Sequence, residues 1–193
     1  MLALTPFVAA FVELASSPRT GALLVLLAVA ATIDWRTYRI PNVLTFGGMV
    51  MGLTLSMFDV GSEPSFGLLS GIGGLLLATG ALLPLYAFRV LGAGDVKLMA
   101  AVGAFVGHDE ILPVLLFVLI TAGLVSLAIA LYHRALPLLL SNVLLVARAA
   151  AHSIFTRRPA SDTRIAPVGR LPCASCILFG TSAFLAGARM GAW

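Results

Sequence analysis

Two aspartates lie at points in the sequence where a long apolar run meets a short stretch with basic residues. Asp95 stands within Leu91–Met99, and Asp34 stands within Thr32–Asn42. A carboxyl group at a membrane boundary is costly to keep there, so it usually has a function and a partner. Two carboxyl groups that lie close together repel each other as anions and share one proton. Such a pair can deprotonate a water molecule and protonate a peptide carbonyl, which hydrolyses a peptide bond without a nucleophilic side chain.

The residues before Asp95 favour a tight turn. Gly92 and Gly94 lack a side chain, so the backbone can turn sharply there and another chain can approach closely. We expect Asp95 to cap the helix that follows, where the positive end of the helix favours its charge. One alternative is that Asp95 is only such a cap. The second carboxyl group, Asp34, on the same membrane face favours a catalytic pair instead.

Basic and turn-forming residues accompany both aspartates. Arg36 and Lys97 are close enough in sequence to hold one carboxylate ionised, although both also fit the ordinary excess of basic residues on the cytoplasmic side. Pro41 excludes Ile40 from a helix and marks the start of the next one, which the Asn42 side chain can cap. Both segments are therefore expected to be loops at the cytoplasmic ends of their helices.

The composition excludes a water-soluble globular protein. Of 193 residues, 60% are hydrophobic and 10% are charged, and the mean hydropathy is +1.06. Lipid cannot satisfy loose backbone groups, so such a chain forms an all-α polytopic membrane helix bundle. The net charge of +4 is compatible with nucleic-acid binding, but the basic residues fall in short loops between apolar runs. We interpret them as signals of membrane topology and expect membrane lipid, not nucleic acid, as a partner.

Hydropathy and loop charges predict about six membrane-spanning helices with the N-terminus outside. Residues 1–16 are either an interfacial helix or part of a long first span. Residues 136–155 either cross the membrane or lie in its interface, and the basic residues on both sides favour the interface. With this topology, Asp34 and Asp95 both lie at the cytoplasmic ends of their helices. The predicted spans are 20–34, 43–58, 66–88, 95–107, 111–132 and 171–191.

The cysteines and histidines form no metal-binding pattern. Cys173 and Cys176 are a lone C-x-x-C inside an apolar run, which is more often packing than a zinc or redox site. His108, His133 and His152 do not converge on a metal-binding spacing, and His108 is expected to be only a polar loop residue. We therefore expect no metal and no cofactor.

The two aspartate motifs resemble those of the type IV prepilin peptidases, which are membrane aspartic proteases of the GxGD kind. Gly92–Leu98 is similar to the second aspartate motif of that family, and Asp34 followed by Arg39–Asn42 is similar to the first. A lone GxGD is a weak signal, whereas the two motifs in this order on one membrane face are specific. The resemblance covers nearly the whole chain. Weaker similarities lie at Gly103, Arg164–Pro167 and Leu171–Pro172.

The resemblance implies that Asp34 and Asp95 are both essential for catalysis. It also implies that the substrate is a prepilin or pseudopilin, cut at the cytoplasmic face of the bacterial inner membrane between a short basic leader and a hydrophobic helix. Larger members carry an N-terminal cytoplasmic domain with paired C-x-x-C motifs, associated with N-methylation, that has no counterpart in residues 1–193. We expect a single peptidase domain over 1–193, similar to the small members that serve Flp or tight-adherence pili, and no methyl transfer.

Glycines also suggest where a substrate binds. Small residues allow close helix approach, and Gly67, Gly71 and Gly80 of the third span are expected to line such a contact. Gly71 and Gly74 are in addition a candidate surface for the substrate's helix. An extended substrate strand can pair with backbone that carries no side chain. The residues expected to form the substrate-binding loops are Gly92, Gly94, Lys97, Arg36, Pro41 and Asn42.

Two other classes of protein are alternatives. In a small proton-coupled carrier, Asp34 and Asp95 would pass protons, but carriers often show internal repeats and acids near the bilayer midplane. This chain shows no repeat and has both acids at one edge. A purely structural assembly factor would not need paired acids.

Overall fold

Four stretches of the chain are described by the structure, a computed structural model: residues 17–58, 67–88, 90–156 and 173–189. The features expected at 1–16 and within 164–172 lie outside these ranges.

Within the described ranges the chain is built from α-helices and short connections, with no β-strand. Three helices, α1, α3 and α5, are long and apolar enough to cross a membrane, and α2 and α7 are shorter apolar helices. The prediction of an all-α membrane bundle is thus confirmed. The helices are α1 (Pro18–Thr37), α2 (Asn42–Phe58), α3 (Leu68–Ala87), α4 (Ala93–Val106), α5 (Ile111–Tyr132), α6 (Leu136–Thr156) and α7 (Cys173–Arg189).

A short loop between α1 and α2 fixes where both helices end. Tyr38 adopts a left-handed conformation (φ 50°, ψ 31°), and its N–H donates to the Asp34 carbonyl at 2.8 Å, which closes α1. The Pro41 carbonyl accepts the Leu44 N–H at 3.1 Å and opens α2. The prediction that Asn42 caps α2 is wrong, because Asn42 is already the first helical residue.

Helix α4, which carries Asp95, is the central helix of the bundle. It contacts α1, α2, α3, α5 and α7, and every residue from Leu98 to Val106 is buried. A helix that is apolar on all sides needs such surroundings. Its 14 residues rise only about 21 Å at 1.5 Å per residue, which is less than the roughly 30 Å of bilayer hydrocarbon. The sequence predicted this short fourth helix.

Glycines bring α3 and α4 into backbone contact. A Cβ at Gly74 would overlap the Gly103 carbonyl oxygen and lie 2.7 Å from the Gly107 carbonyl carbon, and one at Gly71 would lie 3.1 Å from the Ala104 oxygen. The expected close helix contact exists, but only Gly71 of the three residues predicted for it takes part. Positions Gly67 and Gly80 meet no atom within 4 Å. Because α4 already occupies Gly71 and Gly74, the prediction that these two glycines receive the substrate's helix is wrong.

The turn between α4 and α5 is tied back to α3. The His108 Nδ1 atom lies 3.0 Å from the Ser70 Oγ in a hydrogen bond, and its Nε2 atom lies 3.3 Å from an Asp109 oxygen. His108 is therefore more than the polar loop residue that was expected, since it links two helices.

Helix α6 stands apart from the rest of the bundle. It contacts α5 and none of the other helices in the described part of the chain. The side chains of Leu140, Val143 and Leu144 are exposed. A helix of this kind needs lipid around it, whether it crosses the membrane or lies in the interface.

Candidate active site

Asp34 lies in the last turn of α1 and is 6% exposed. Its Oδ2 atom accepts a hydrogen bond from the Ala174 N–H at 3.0 Å, in the first turn of α7. The first N–H groups of a helix have no partner within the helix, and the helix dipole is positive there. The start of α7 is thus well suited to a buried carboxylate.

Asp95 lies in the first turn of α4 and is the third residue of that helix, which begins at Ala93. Its Oδ2 atom accepts the Gly92 N–H at 3.2 Å, and its own N–H donates to the Gly92 carbonyl at 3.1 Å. Asp95 therefore does cap the helix, but from the third helical position and by a reciprocal pair of bonds with Gly92. The Gly92 backbone remains exposed.

The two aspartates lie within electrostatic reach of each other. The charge of Asp34 acts on Asp95, and the Cys173 side chain is a hydrogen-bonding neighbour of the Asp95 carboxyl group. Both carboxylates also act on the Cys173 thiol. The end of α1 and the starts of α4 and α7 therefore meet at one place.

The loop before α2 packs against the glycine turn before α4. A Cβ at Gly94 would lie 3.4 Å from the Ile40 Cβ atom, and the Lys97 ammonium donates to the Asn42 Oδ1 at 2.9 Å. The same ammonium lies 5.0 Å from the centre of the Phe46 ring, which is a cation–π distance. The two aspartate motifs are thus joined by Ile40, Asn42 and Lys97.

Of the two basic residues considered as partners for a carboxylate, Lys97 bonds to Asn42 instead. Arg36 lies in the last turn of α1 with an exposed side chain. Pro41 is exposed beside them. These residues line the rim of the site, and the contacts of the two carboxyl groups come from α7 and from the glycine turn.

Cys173 and Ala174 belong to the site although the sequence pattern does not mark them. Cys176 is 3% exposed and fits the expected packing role, whereas Cys173 is half-buried and its side chain also hydrogen-bonds to Asp95. No local pattern marks this difference, since both cysteines share one apolar run. Only the packing of α7 against α1 and α4 reveals it.

A cavity of about 410 Å³ opens beside the glycine turn. It lies between the end of α3 and the start of α4, and it shares Gly92 with the cap of Asp95. Its lining residues are Tyr86, Ala87, Val90, Leu91, Gly92 and Ala93.

Comparison with known families gives one match. A family model described as the type IV leader peptidase family matches residues 21–131, which include both aspartates. No curated protein and no solved structure matches the chain. The matched segment covers α1 to α4 and nearly all of α5, and it excludes α6 and α7.

Proposed function

Because the chain belongs to the type IV leader peptidase family, we propose that it is the endopeptidase that removes the short basic leader from prepilin-like precursors, with Asp34 and Asp95 as its catalytic pair. The observation that carries the proposal is that the two carboxyl groups, which come from separate helices, are brought to the start of α7, where the Ala174 N–H donates to Asp34 and the charge of Asp34 acts on Asp95. Family membership makes the chain a peptidase and favours hydrolysis over proton-coupled transport.

The proposed reaction uses one water molecule and one shared proton. One carboxylate takes a proton from water as the water oxygen bonds to the carbonyl carbon, and the other carboxyl group gives its proton to the carbonyl oxygen. The carboxyl group that took the proton from water then gives it to the leaving nitrogen as the carbon–nitrogen bond breaks. The other carboxylate takes a proton from one of the two hydroxyl groups on the carbon, which leaves a carboxylic acid and an amine and restores the starting protonation of the pair. We assign no separate acid and base roles to Asp34 and Asp95, because in an interacting pair these roles belong to the pair as a whole.

Several features around the pair support a peptide substrate. The exposed Gly92 backbone has no side chain to keep an extended strand away. The cavity beside it, about 410 Å³ in volume, is large enough for one or two substrate side chains. Arg36, Arg39 and Lys97 lie around the same end of the bundle, and basic residues favour the cytoplasmic side. A leader cut at that face leaves the hydrophobic helix of the precursor in the bilayer.

We further propose an Flp-type or tight-adherence pilin as the substrate. The support is the resemblance of residues 1–193 to the small family members that serve such pili.

The test is leader removal from a co-expressed prepilin by Asp34→Asn and Asp95→Asn variants. Each should lower the cleavage rate by at least about 100-fold, because a positioned general acid or base contributes that much. Asp109→Asn is the matched control, because Asp109 is an exposed acid beside His108 in the turn after α4. If either Asp34→Asn or Asp95→Asn cleaves as fast as this control, the paired-aspartate mechanism is wrong.

A further inference from the structure

The start of α7 lies outside the segment that the family model matches, yet it contacts both aspartates. The match ends at residue 131, and α7 begins at Cys173. Within α7, two consecutive residues supply these contacts. The Ala174 N–H donates to Asp34, and the Cys173 side chain is a hydrogen-bonding neighbour of Asp95.

The contact with Asp34 is made by the backbone. The Ala174 N–H lies 3.0 Å from the Asp34 Oδ2 atom in a buried position, and Ala174 itself is 0% exposed. A hydrogen bond to a charged group in such surroundings is among the stronger ones in proteins. It holds the carboxylate at a fixed distance from the axis of α7.

The contact with Asp95 is made by a side chain. The thiol is a weak hydrogen-bond donor; it hydrogen-bonds to the Asp95 carboxyl group, and the charge of Asp34 also acts on it. The Cys173 side chain is half-buried. Because consecutive residues of one helix hold the two carboxyl groups, the helix sets their relative orientation.

We propose that the first turn of α7 is a positioning element for the catalytic pair, with Cys173 orienting Asp95 and the Ala174 N–H orienting Asp34. The inference rests on the proposed function, since a positioning role has meaning only if the two aspartates catalyse. It adds residues outside the matched family segment to the working site.

Cys176 provides the matched control. It lies in the next turn of the same helix and is 3% exposed, and it belongs to the packed interior together with its neighbour Ile177, also 3% exposed. A change from Cys to Ala removes the same atoms at both positions. The charges of both aspartates also act on the Cys176 thiol, but only the Cys173 side chain hydrogen-bonds to one of them, so only at Cys173 should the change remove a hydrogen bond with the site.

The experiment measures prepilin cleavage against pH for the wild-type chain and for Cys173→Ala, Cys173→Ser and Cys176→Ala. Cys173→Ala should lower kcat about 10-fold with KM changed less than about twofold, since one hydrogen bond to a charged group is lost. Its pH–rate profile should move to higher pH, because the lost donor favoured the ionised carboxylate. Cys173→Ser keeps a donor and should restore most of the wild-type rate and profile, and Cys176→Ala should match the wild type.

The outcomes separate this inference from the proposed function. If the wild-type chain cleaves and Cys173→Ala has the kcat and pH profile of Cys176→Ala, the positioning role is overturned. If the wild-type chain does not cleave, or if the Asp→Asn variants do, the proposed function itself fails.

Discussion

At the scale of single residues, the site depends on polar contacts between segments that are distant in sequence. Asp34 is the one charged side chain that is buried in the described part of the chain. A buried charge requires a hydrogen-bond partner, and the Ala174 N–H provides one. At the edge of the site, the Lys97 ammonium donates a hydrogen bond to the Asn42 side chain, which links the two aspartate motifs.

The Lys97–Asn42 hydrogen bond should be measurable as a coupling energy. Lys97→Met and Asn42→Ala should each lower the free energy of unfolding. The double variant should lose about 0.5–1.5 kcal/mol less than the sum of the two single losses, because both substitutions break the same hydrogen bond. Thermal unfolding in detergent measures this. Arg36→Met combined with Asn42→Ala is the control pair and should be additive. Additive effects of the Lys97 and Asn42 variants would show that the bond contributes nothing to stability.

At the scale of helices, the position of Asp95 depends on how closely α3 approaches α4. Gly74 and Gly103 leave no room for a Cβ, since each would overlap the other's carbonyl oxygen. A side chain at either position must push the two helices apart. Because Asp95 lies in the first turn of α4, such a shift also moves its carboxyl group relative to Asp34.

Gly74→Ala and Gly80→Ala should therefore behave differently although both lie on α3. Gly74→Ala should lower the unfolding free energy by about 1–3 kcal/mol, because it overpacks a rigid backbone contact. Gly80 meets no atom within 4 Å, so Gly80→Ala should be neutral or stabilising by up to about 1 kcal/mol through helix propensity. The midpoint of unfolding in detergent gives the comparison. Equal midpoints for the two variants would contradict the close α3–α4 contact.

Much of this arrangement could be predicted from the sequence. Apolar runs and glycine or proline breaks gave the helix positions to within a few residues, and the two aspartate motifs were visible as interruptions of those runs. What could not be predicted depends on tertiary packing. The side chain of Cys173 hydrogen-bonds to Asp95 while that of Cys176 does not, and Gly71 is in a helix contact while Gly67 and Gly80 are not. Such differences are set by which face of a helix meets its neighbour.

At the scale of the whole molecule, a compact group of helices around α4 carries the site, and α6 lies outside it. α7 follows α6 in sequence but packs against α1, α4 and α5. The chain therefore leaves the bundle after α5 and returns to complete the site. If α6 lies in the membrane interface, α5 ends and α7 begins on the same membrane face. If α6 crosses the membrane, they lie on opposite faces.

We propose that α6 lies in the membrane interface, and labelling of its two ends tests this. In a Cys173→Ser, Cys176→Ala background, Arg134→Cys and Thr156→Cys should both react with a membrane-impermeant thiol reagent applied from the cytoplasmic side. The reason is that an interfacial helix keeps both ends on one face. Inverted and right-side-out membrane vesicles give the two measurements. Labelling of the two cysteines from opposite faces would mean that α6 crosses the membrane.

The shortness of α4 bears on how a hydrolytic site inside a membrane is hydrated. A helix of 14 residues falls roughly 9 Å short of the hydrocarbon thickness. Because α4 lies inside the bundle, beside the longer helices α3 and α5, the shortfall leaves a recess in the protein at an end of α4. We propose that this recess lies at the Asp95 end, where water reaches the two carboxyl groups from the membrane surface without a pore through the protein.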